Sequence, residues 1–385
     1  MLTARRAAEI GPFEVMDVLS RAHALEAAGR RVVHMEIGEP DFTAPQPVVE
    51  AGVRALRDGL TTYTATLGLP VLCEAISAHY QSRLGLDVSP SRIAVTSGAS
   101  GGLLTTAALY VDAGDEVLVP DPGYPGYRQF VRAFEGAARP LPLCAAENFQ
   151  PTLEMVRAAW GPRTKGLLLG SPSNPTGTLI EKIELHRIAD FIAERGGVLI
   201  VDEIYQGLVY GAEPWSAVGF PGEVVVINSF SKYFCMTGWR LGWVVLPEGA
   251  VRGFEKLAQH LFISASAAAQ YAACAAFSPD SISILEGRRS EFEKRRDFLV
   301  PALKKAGLSI PAEPRGAFYV YADCGGDSKA FARELLEKEA VAATPGGDFG
   351  ANGTRRCVRF AYTRSMQDLE EAAIRIARFA CAPSA

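Results

Sequence analysis

Lys232 is the residue in this sequence whose type and setting point most directly to covalent chemistry. It stands in SFSK, at the end of the apolar run VVVINS (224–229), with Ser229 three residues before it and Arg240 eight residues after it. A lysine amine condenses with an aldehyde only if its pKa is lowered, and burial or a neighbouring cation such as Arg240 does that. Three further polar groups follow strand-like runs in the same way. Asn174 lies in SPSNPTG (171–177) after GLLLG (166–170), and Asp202 and Tyr205 stand where VLIVD (198–202) ends. Ligands of open α/β sheets bind at the carboxyl ends of the strands, so the four groups are expected on one rim.

If the aldehyde belongs to a pyridine ring, Asp202 keeps the ring nitrogen protonated and makes the ring an electron sink, while Tyr205 and Asn174 hydrogen-bond a phenolic oxygen. TSGASGG (96–102) adds backbone N–H groups at a helix start, a setting for phosphate, with Ser100, Ser229 and Arg240 as side-chain donors. That glycine run is neither GxGxxG nor GxxxxGK, so dinucleotide and nucleoside-triphosphate sites fail their own patterns. Taken singly, each residue also has a plain structural explanation. Asn174 suits a turn, Asp202 a helix cap, Tyr205 a half-buried core and Lys232 a solvated surface.

The elements that must position these residues are legible. RIAVTS (92–97), EVLVP (116–120), GLLLG, VLIVD, VVVINS and LGWVVL (241–246) are continuous apolar runs, as strands buried on both faces are. Helical spacing between them, as in 180–194, predicts an α/β domain over roughly residues 45–275 with a mostly parallel central sheet covered by helices. After residue 278 a charged helical stretch (285–306), FYVYA (318–322), a helix near 328–338 and CVRFAYT (357–363) predict a small α+β domain. The loop TPGGDFGANGTRR (344–356) is too rich in glycine to be regular, and such loops often cover sites. At 385 residues the chain exceeds one usual core, in keeping with a large domain plus a smaller one.

Composition narrows the classes. A net charge of -4 gives no reason to expect nucleic acid or an anionic membrane surface as partner, which leaves small molecules. Seven scattered cysteines without a CxxC pair read as reduced thiols, and five separated histidines offer no metal-ligand spacing. MLTARRAAEIGPF has no apolar stretch to serve as a signal, which points to the cytoplasm. The apolar run 261–277 carries Ser264, Ser266 and Gln270, and is read as a buried helix, not a membrane span.

Taken together, SPSNPTG, VDEIY and SFSK with Arg240 resemble the class I/II aminotransferases, fold type I of the pyridoxal-phosphate enzymes. IGEPDF (37–42), TTYTATLG (61–68), TSGAS (96–100), DPGYPGY (121–127), GAFYV (316–320) and VRFAYT (358–363) extend the resemblance over nearly the whole chain. It implies pyridoxal 5'-phosphate as cofactor, bound as a Schiff base to Lys232, which also moves the proton between substrate Cα and cofactor. It implies Asp202 at the ring nitrogen, Asn174 and Tyr205 at the ring oxygen, and Tyr124 stacked on the ring. Ala99, Ser100, Ser229, Ser231 and Arg240 would hold the phosphate, joined by Tyr63 from the second subunit of a homodimer. Arg359, Asn174 and the backbone of Gly38 would bind the substrate. Residues 45–275 would be the large cofactor-binding domain, and 1–44 with 276–385 a small domain made by both chain ends.

The implied activity is amino transfer from an L-amino acid to a 2-oxo acid such as 2-oxoglutarate or pyruvate, by a ping-pong mechanism. Family members that prefer dicarboxylates place a lysine where Ser100 stands, or an arginine a few residues before Ser264. This chain has neither, and His260 is the only cation in the second region, so neutral or aromatic donors are expected. A C–S β-lyase shares nearly all of these cofactor contacts and is the alternative. Ser229-x-x-Lys232 also matches the SxxK of penicillin-recognising enzymes, but no SDN or KTG follows. A DNA-binding regulator on the same scaffold lacks an N-terminal helix-turn-helix segment.

Overall fold

In the computed structural model, which describes residues 3–381, strand β1 (Val33–His34) precedes seven strands that make the central sheet. These are β2 (Ile93–Thr96), β3 (Glu116–Asp121), β4 (Ala137–Pro142), β5 (Thr164–Gly170), β6 (Val198–Asp202), β7 (Glu223–Ser229) and β8 (Gly242–Val245). Their spatial order is β2-β8-β7-β6-β5-β3-β4. All neighbours are parallel except β8, which runs antiparallel to β2 and β7. This is the mostly parallel sheet expected from the apolar runs.

Side-chain alternation explains why those runs are apolar throughout. Leu167, Leu169, Leu199, Val201, Val224 and Val226 face one hydrophobic cluster, and the residues between them (Leu168, Val198, Ile200, Val225, Ile227) face another. A strand covered by helices on both sides has no face left for polar residues. Chemistry is therefore confined to the strand ends.

Strand β4 has no counterpart among the expected elements, because its sequence AARPLP carries Pro140 and Pro142. Proline cannot donate to a ladder, and β4 tolerates two because it is the sheet edge, bonded only to β3. The single helix expected over 261–277 is also corrected. The helix Glu248–Leu261 stops, Ile263 takes a left-handed φ of 64°, and Ser266 caps a new helix, Ala267–Cys274, by accepting from the Ala269 N–H. A serine hydroxyl that caps locally outcompetes helix continuation.

The remaining strands are β9 (Tyr319–Asp323), β10 (Val341–Ala342), β11 (Thr344–Pro345) and β12 (Cys357–Ala361). They form a three-stranded sheet, β11-β12-β9, and a parallel β1-β10 pair that joins the two ends of the chain. The glycine-rich stretch 344–356 is thus not wholly irregular, since it begins with β11. It is tied to the end of β3 by the Asp121 carboxylate, which accepts from the Ala351 and Asn352 N–H groups. At Gly350, with φ 152°, a Cβ would stand only 1.8 Å from Asp121 Oδ1, so no other residue lets the loop approach so closely. Among the described residues no helix is long and apolar enough to cross a membrane.

Candidate active site

Strands β5, β6 and β7 end in step: Gly170 pairs with Asp202, and Asp202 with Ile227. SPSNPTG, Asp202 and the SFSK segment therefore leave the sheet side by side. They open on a cavity of about 280 Å³ between the central sheet and the β11-β12-β9 sheet. Twelve of the thirteen expected site residues line it: Gly38, Ala99, Ser100, Tyr124, Asn174, Asp202, Tyr205, Ser229, Ser231, Lys232, Arg240 and Arg359.

Lys232 Nζ donates a 2.7 Å hydrogen bond to the Gly38 carbonyl. Burial pushes its ammonium pKa down to about 8; Glu39 and Asp202 oppose the shift, and Arg359 and Arg240 reinforce it. Asp202 is perturbed in the opposite sense, since burial raises its carboxyl to about 6 although Tyr127 and the Ile204 N–H stabilise the anion. The Tyr127 hydroxyl donates to Asp202 Oδ2 at 2.8 Å. An amine held partly neutral thus shares a cavity with a carboxylate that would gain from a nearby cation.

Arg359 is not a surface residue; it lies on β12, opposite Thr344 of β11, and is 5% exposed. Its Nη1 donates to Asn174 Oδ1 at 2.9 Å, and its Nη2 to the Glu36 carbonyl at 2.5 Å and Thr344 Oγ1 at 3.2 Å. The guanidinium sits 4.4 Å over the Tyr319 ring and 4.9 Å over the Phe349 ring. Tyr319 also shares a 2.8 Å hydrogen bond between hydroxyls with Tyr205. A Cβ on Gly38 would come within 1.7 Å of the Tyr319 hydroxyl, so glycine is required there.

The opposite corner collects anion donors. Helix Gly98–Tyr110 starts at the cavity with Ala99 and Ser100 in its first turn, where backbone N–H groups have no helical partner. Gly98 has φ 72°, and a Cβ there would meet Arg240 Nη2 at 2.7 Å, so the guanidinium packs directly on the helix start. Ser229 Oγ donates to Ser231 Oγ at 3.0 Å and accepts from the Ser231 N–H, and both serines line the cavity with Arg240.

The thirteenth, Tyr63, and His260, the one cation noted before Ser264, lie elsewhere. Tyr63 is 80% exposed and His260 is exposed at the end of its helix, and neither lines the cavity. Other lining residues escaped the sequence reading: Tyr127, Tyr319, Asp348 and Phe349. Tyr127 was visible in DPGYPGY, since it follows Tyr124 by three residues at the start of helix Pro125–Ala133, and the two rings meet edge-on at 5.3 Å. Tyr319 alternates with Phe318 and Val320 along a strand whose buried faces could not be told apart in advance.

Comparison with known proteins assigns this arrangement. The family model described as aminotransferase class I and II matches residues 30–376. The (5-formylfuran-3-yl)methyl phosphate transaminase of Methanocaldococcus jannaschii is 38% identical over 98% of this chain and 99% of its own. The valine–pyruvate aminotransferase of Mycobacterium tuberculosis is 38% identical over 96% of both chains. A crystal structure of an aminotransferase from M. tuberculosis superposes with a TM-score of 0.94, at 37% identity over 98% of this chain and 99% of that one. Aspartate aminotransferase from Thermus thermophilus with maleate gives 0.93, at 34% identity over 98% and 99%.

The chain belongs to the class I and II aminotransferases. It is an enzyme that depends on pyridoxal 5'-phosphate and moves amino groups between amino acids and keto acids. The cavity of this aminotransferase fits that cofactor on its own terms. It offers a primary amine of lowered pKa, a buried carboxyl of raised pKa for a ring nitrogen, and a helix start with an arginine and serines for a phosphate.

Because the neutral amine is the nucleophile, loading of the cofactor-free enzyme with pyridoxal phosphate should speed up as pH rises and level off above about 8. Absorbance stopped-flow from pH 6 to 10 measures it. A rate that still rises tenfold per unit near pH 10 would show an ordinary surface-like lysine.

Proposed function

We propose that this aminotransferase acts on neutral or aromatic L-amino acids, with a 2-oxo acid such as 2-oxoglutarate or pyruvate as acceptor. The observation that carries the reading is the charge inventory of the cavity. Among its lining residues the cations are Lys232, Arg240 and Arg359, and the acids are Asp202 and Asp348. Lys232 is taken by imine chemistry and Arg240 by the phosphate corner, which leaves Arg359 alone for a carboxylate. No second cation answers a side-chain carboxylate, whereas Phe13, Val15 and Met16 line the mouth with apolar surface.

When bound, pyridoxal phosphate supplies an aldehyde for the amine and a ring that delocalises the electrons of a broken Cα–H bond. Lys232 would hold it through its amine, and the freed Nζ would accept the Cα proton of the substrate. Asp202 would keep the ring nitrogen protonated, and Tyr124 would pack against the ring. Asn174 gives its Oδ1 to Arg359, so its Nδ2 remains for the ring oxygen. If Tyr319 donates within the hydroxyl pair, the Tyr205 O–H is free for the same oxygen. Ala99, Ser100, Ser229, Ser231 and Arg240 receive the phosphate. Arg359 receives the α-carboxylate, beside the backbone of Gly38.

One cavity with one carboxylate-binding arginine cannot seat donor and acceptor together, so the first product leaves before the second substrate enters. The cavity lies between residues 45–275 and a second unit of 1–44 with 276–385, a division supported by the β1-β10 pair that joins the chain ends. A panel of L-amino acids scored by single-turnover amino transfer tests the substrate reading. Neutral or aromatic donors should exceed aspartate in kcat/KM by on the order of tenfold or more. Aspartate as best donor would refute it, and release of pyruvate and ammonia from a cysteine conjugate without acceptor would favour β-elimination.

The working form is a homodimer in which Tyr63 completes the phosphate site of the other subunit. Its 80% exposure, with Val53, Leu56 and Leu60 exposed at 40%, 61% and 38%, leaves an apolar surface that a second copy would cover. Sedimentation at assay concentration should give a dimer; an active monomer would overturn this.

A further inference from the structure

We propose that His34 and Glu36 form a protonated brace that positions Arg359, so that affinity for the substrate carboxylate falls when His34 loses its proton. This rests on the reading of Arg359 as the carboxylate-binding residue and adds two positioning residues and a pH dependence to it.

Glu36 is fully buried. Its Oε1 lies 2.7 Å from His34 Nδ1, and its Oε2 has no hydrogen-bond partner. On the other side of the ring, His34 Nε2 lies 3.1 Å from Glu26 Oε1 of helix Glu14–Ala27. Ionised carboxylates only accept, so a neutral imidazole, with one N–H, satisfies one of these contacts and leaves the other as two facing acceptors. Only the imidazolium donates to both. It also neutralises Glu36, which among the described residues has no other hydrogen-bonded or salt-bridged cation.

The brace reaches Arg359 through the backbone. The Glu36 carbonyl accepts from Arg359 Nη2 at 2.5 Å and from Thr344 Oγ1 at 3.0 Å. Between the two braced residues, the Met35 N–H donates to Ala342 and its carbonyl accepts from Ala361 N–H, so this segment is stitched to β10 and next to β12. The charged and titratable groups around the ring come from three directions. Helix Glu14–Ala27 contributes Glu26 and His23, whose ring lies 5.8 Å away; the segment itself contributes Glu36. From the C-terminal side, Arg364 donates to the His34 carbonyl, and Arg375 to the carbonyls of Arg31 and Ala340.

The sign follows from these contacts. The bond to Glu36 raises the His34 pKa above its ordinary value, with burial opposing and Glu26 assisting. A group whose pKa is raised in the folded protein contributes fully below its unfolded value, and that contribution is lost as pH climbs through the folded value. Above it, Glu36 is a buried carboxylate without its cation, which is costly. A shift of the 34–36 segment relieves the cost, and it moves the carbonyl that holds Nη2. Since Arg359 meets the substrate, KM changes and kcat does not.

The test uses the holoenzyme with a neutral L-amino acid as donor from pH 6 to 10. Wild type should show a KM rise on the order of tenfold as His34 titrates that His34→Gln lacks, while kcat, which follows Lys232, keeps the same pH course in both. The His34 ring, identified in histidine NMR spectra by its loss in His34→Gln, should titrate above an ordinary histidine. In Glu36→Gln its pKa should fall back, and the KM step should vanish in both variants. A wild-type His34 that titrates at or below the ordinary value overturns the inference without any variant, as does a KM step retained in both. Arg359→Lys serves as the control for the underlying reading: it should raise KM at every pH. If it does not, the carboxylate assignment fails as well; if it does while His34 titrates normally, only the brace fails.

Discussion

The 2.7 Å contact between Lys232 Nζ and the Gly38 carbonyl joins two parts of the chain separated by 194 residues, and most of the site is arranged around it. Holding that amine inside the protein requires its charge to be weakened, which burial accomplishes, and requires polar neighbours that accept from it, which the 36–38 segment provides. The same segment fixes Arg359 through the Glu36 carbonyl and needs glycine at 38 because Tyr319 occupies the space a side chain would take. An amine for imine formation and a guanidinium for a carboxylate are thus referenced to one short stretch of backbone. In the proposed roles, that common reference would keep a substrate bound at one end in register with the reacting amine at the other.

Much of this was legible in the sequence because the central strands are buried on both faces. With the middles of β5, β6 and β7 wholly apolar, the polar residues at the strand ends stood out, and their alignment follows from the parallel register. Asn174, Asp202, Tyr205 and Lys232 were found in that way. The helix start at TSGASGG pointed to a phosphate corner with Ser100, Ser229 and Arg240, whereas Ala99, Ser231, Tyr63 and Arg359 came from the family resemblance, since a strand arginine has several ordinary explanations. What stayed illegible depends on tertiary contact. Strand β4 contradicts proline's usual exclusion because it is an edge, and the break at 262–266 comes from a local cap. Tyr319 needed knowledge of which face of β9 meets the cavity, and the Asn174–Arg359 bond joins residues that no local pattern links.

Relatives at similar identity act, by name, on a furan phosphate, on valine and pyruvate, and on aspartate. Proteins that share nearly full-length similarity and differ in substrate must place their differences outside the common machinery. In this chain the apolar mouth formed by Phe13, Val15 and Met16, and Asp348 behind it, is where such differences fit. Asp348 accepts from the Glu14 N–H at 3.1 Å, so the loop after β11 and the first turn of helix Glu14–Ala27 are held together beside the cavity. On the proposed reading, cofactor chemistry is set at the strand ends and selectivity at segments contributed by both chain ends.

Reduction of the purified, cofactor-loaded enzyme with borohydride, followed by peptide mass spectrometry, tests the central assignment most directly. The phosphopyridoxyl group should be found on the peptide containing Lys232, and Lys232→Ala should take no label there while losing amino transfer. Label on another lysine, such as Lys165 or Lys256, would contradict the site as described.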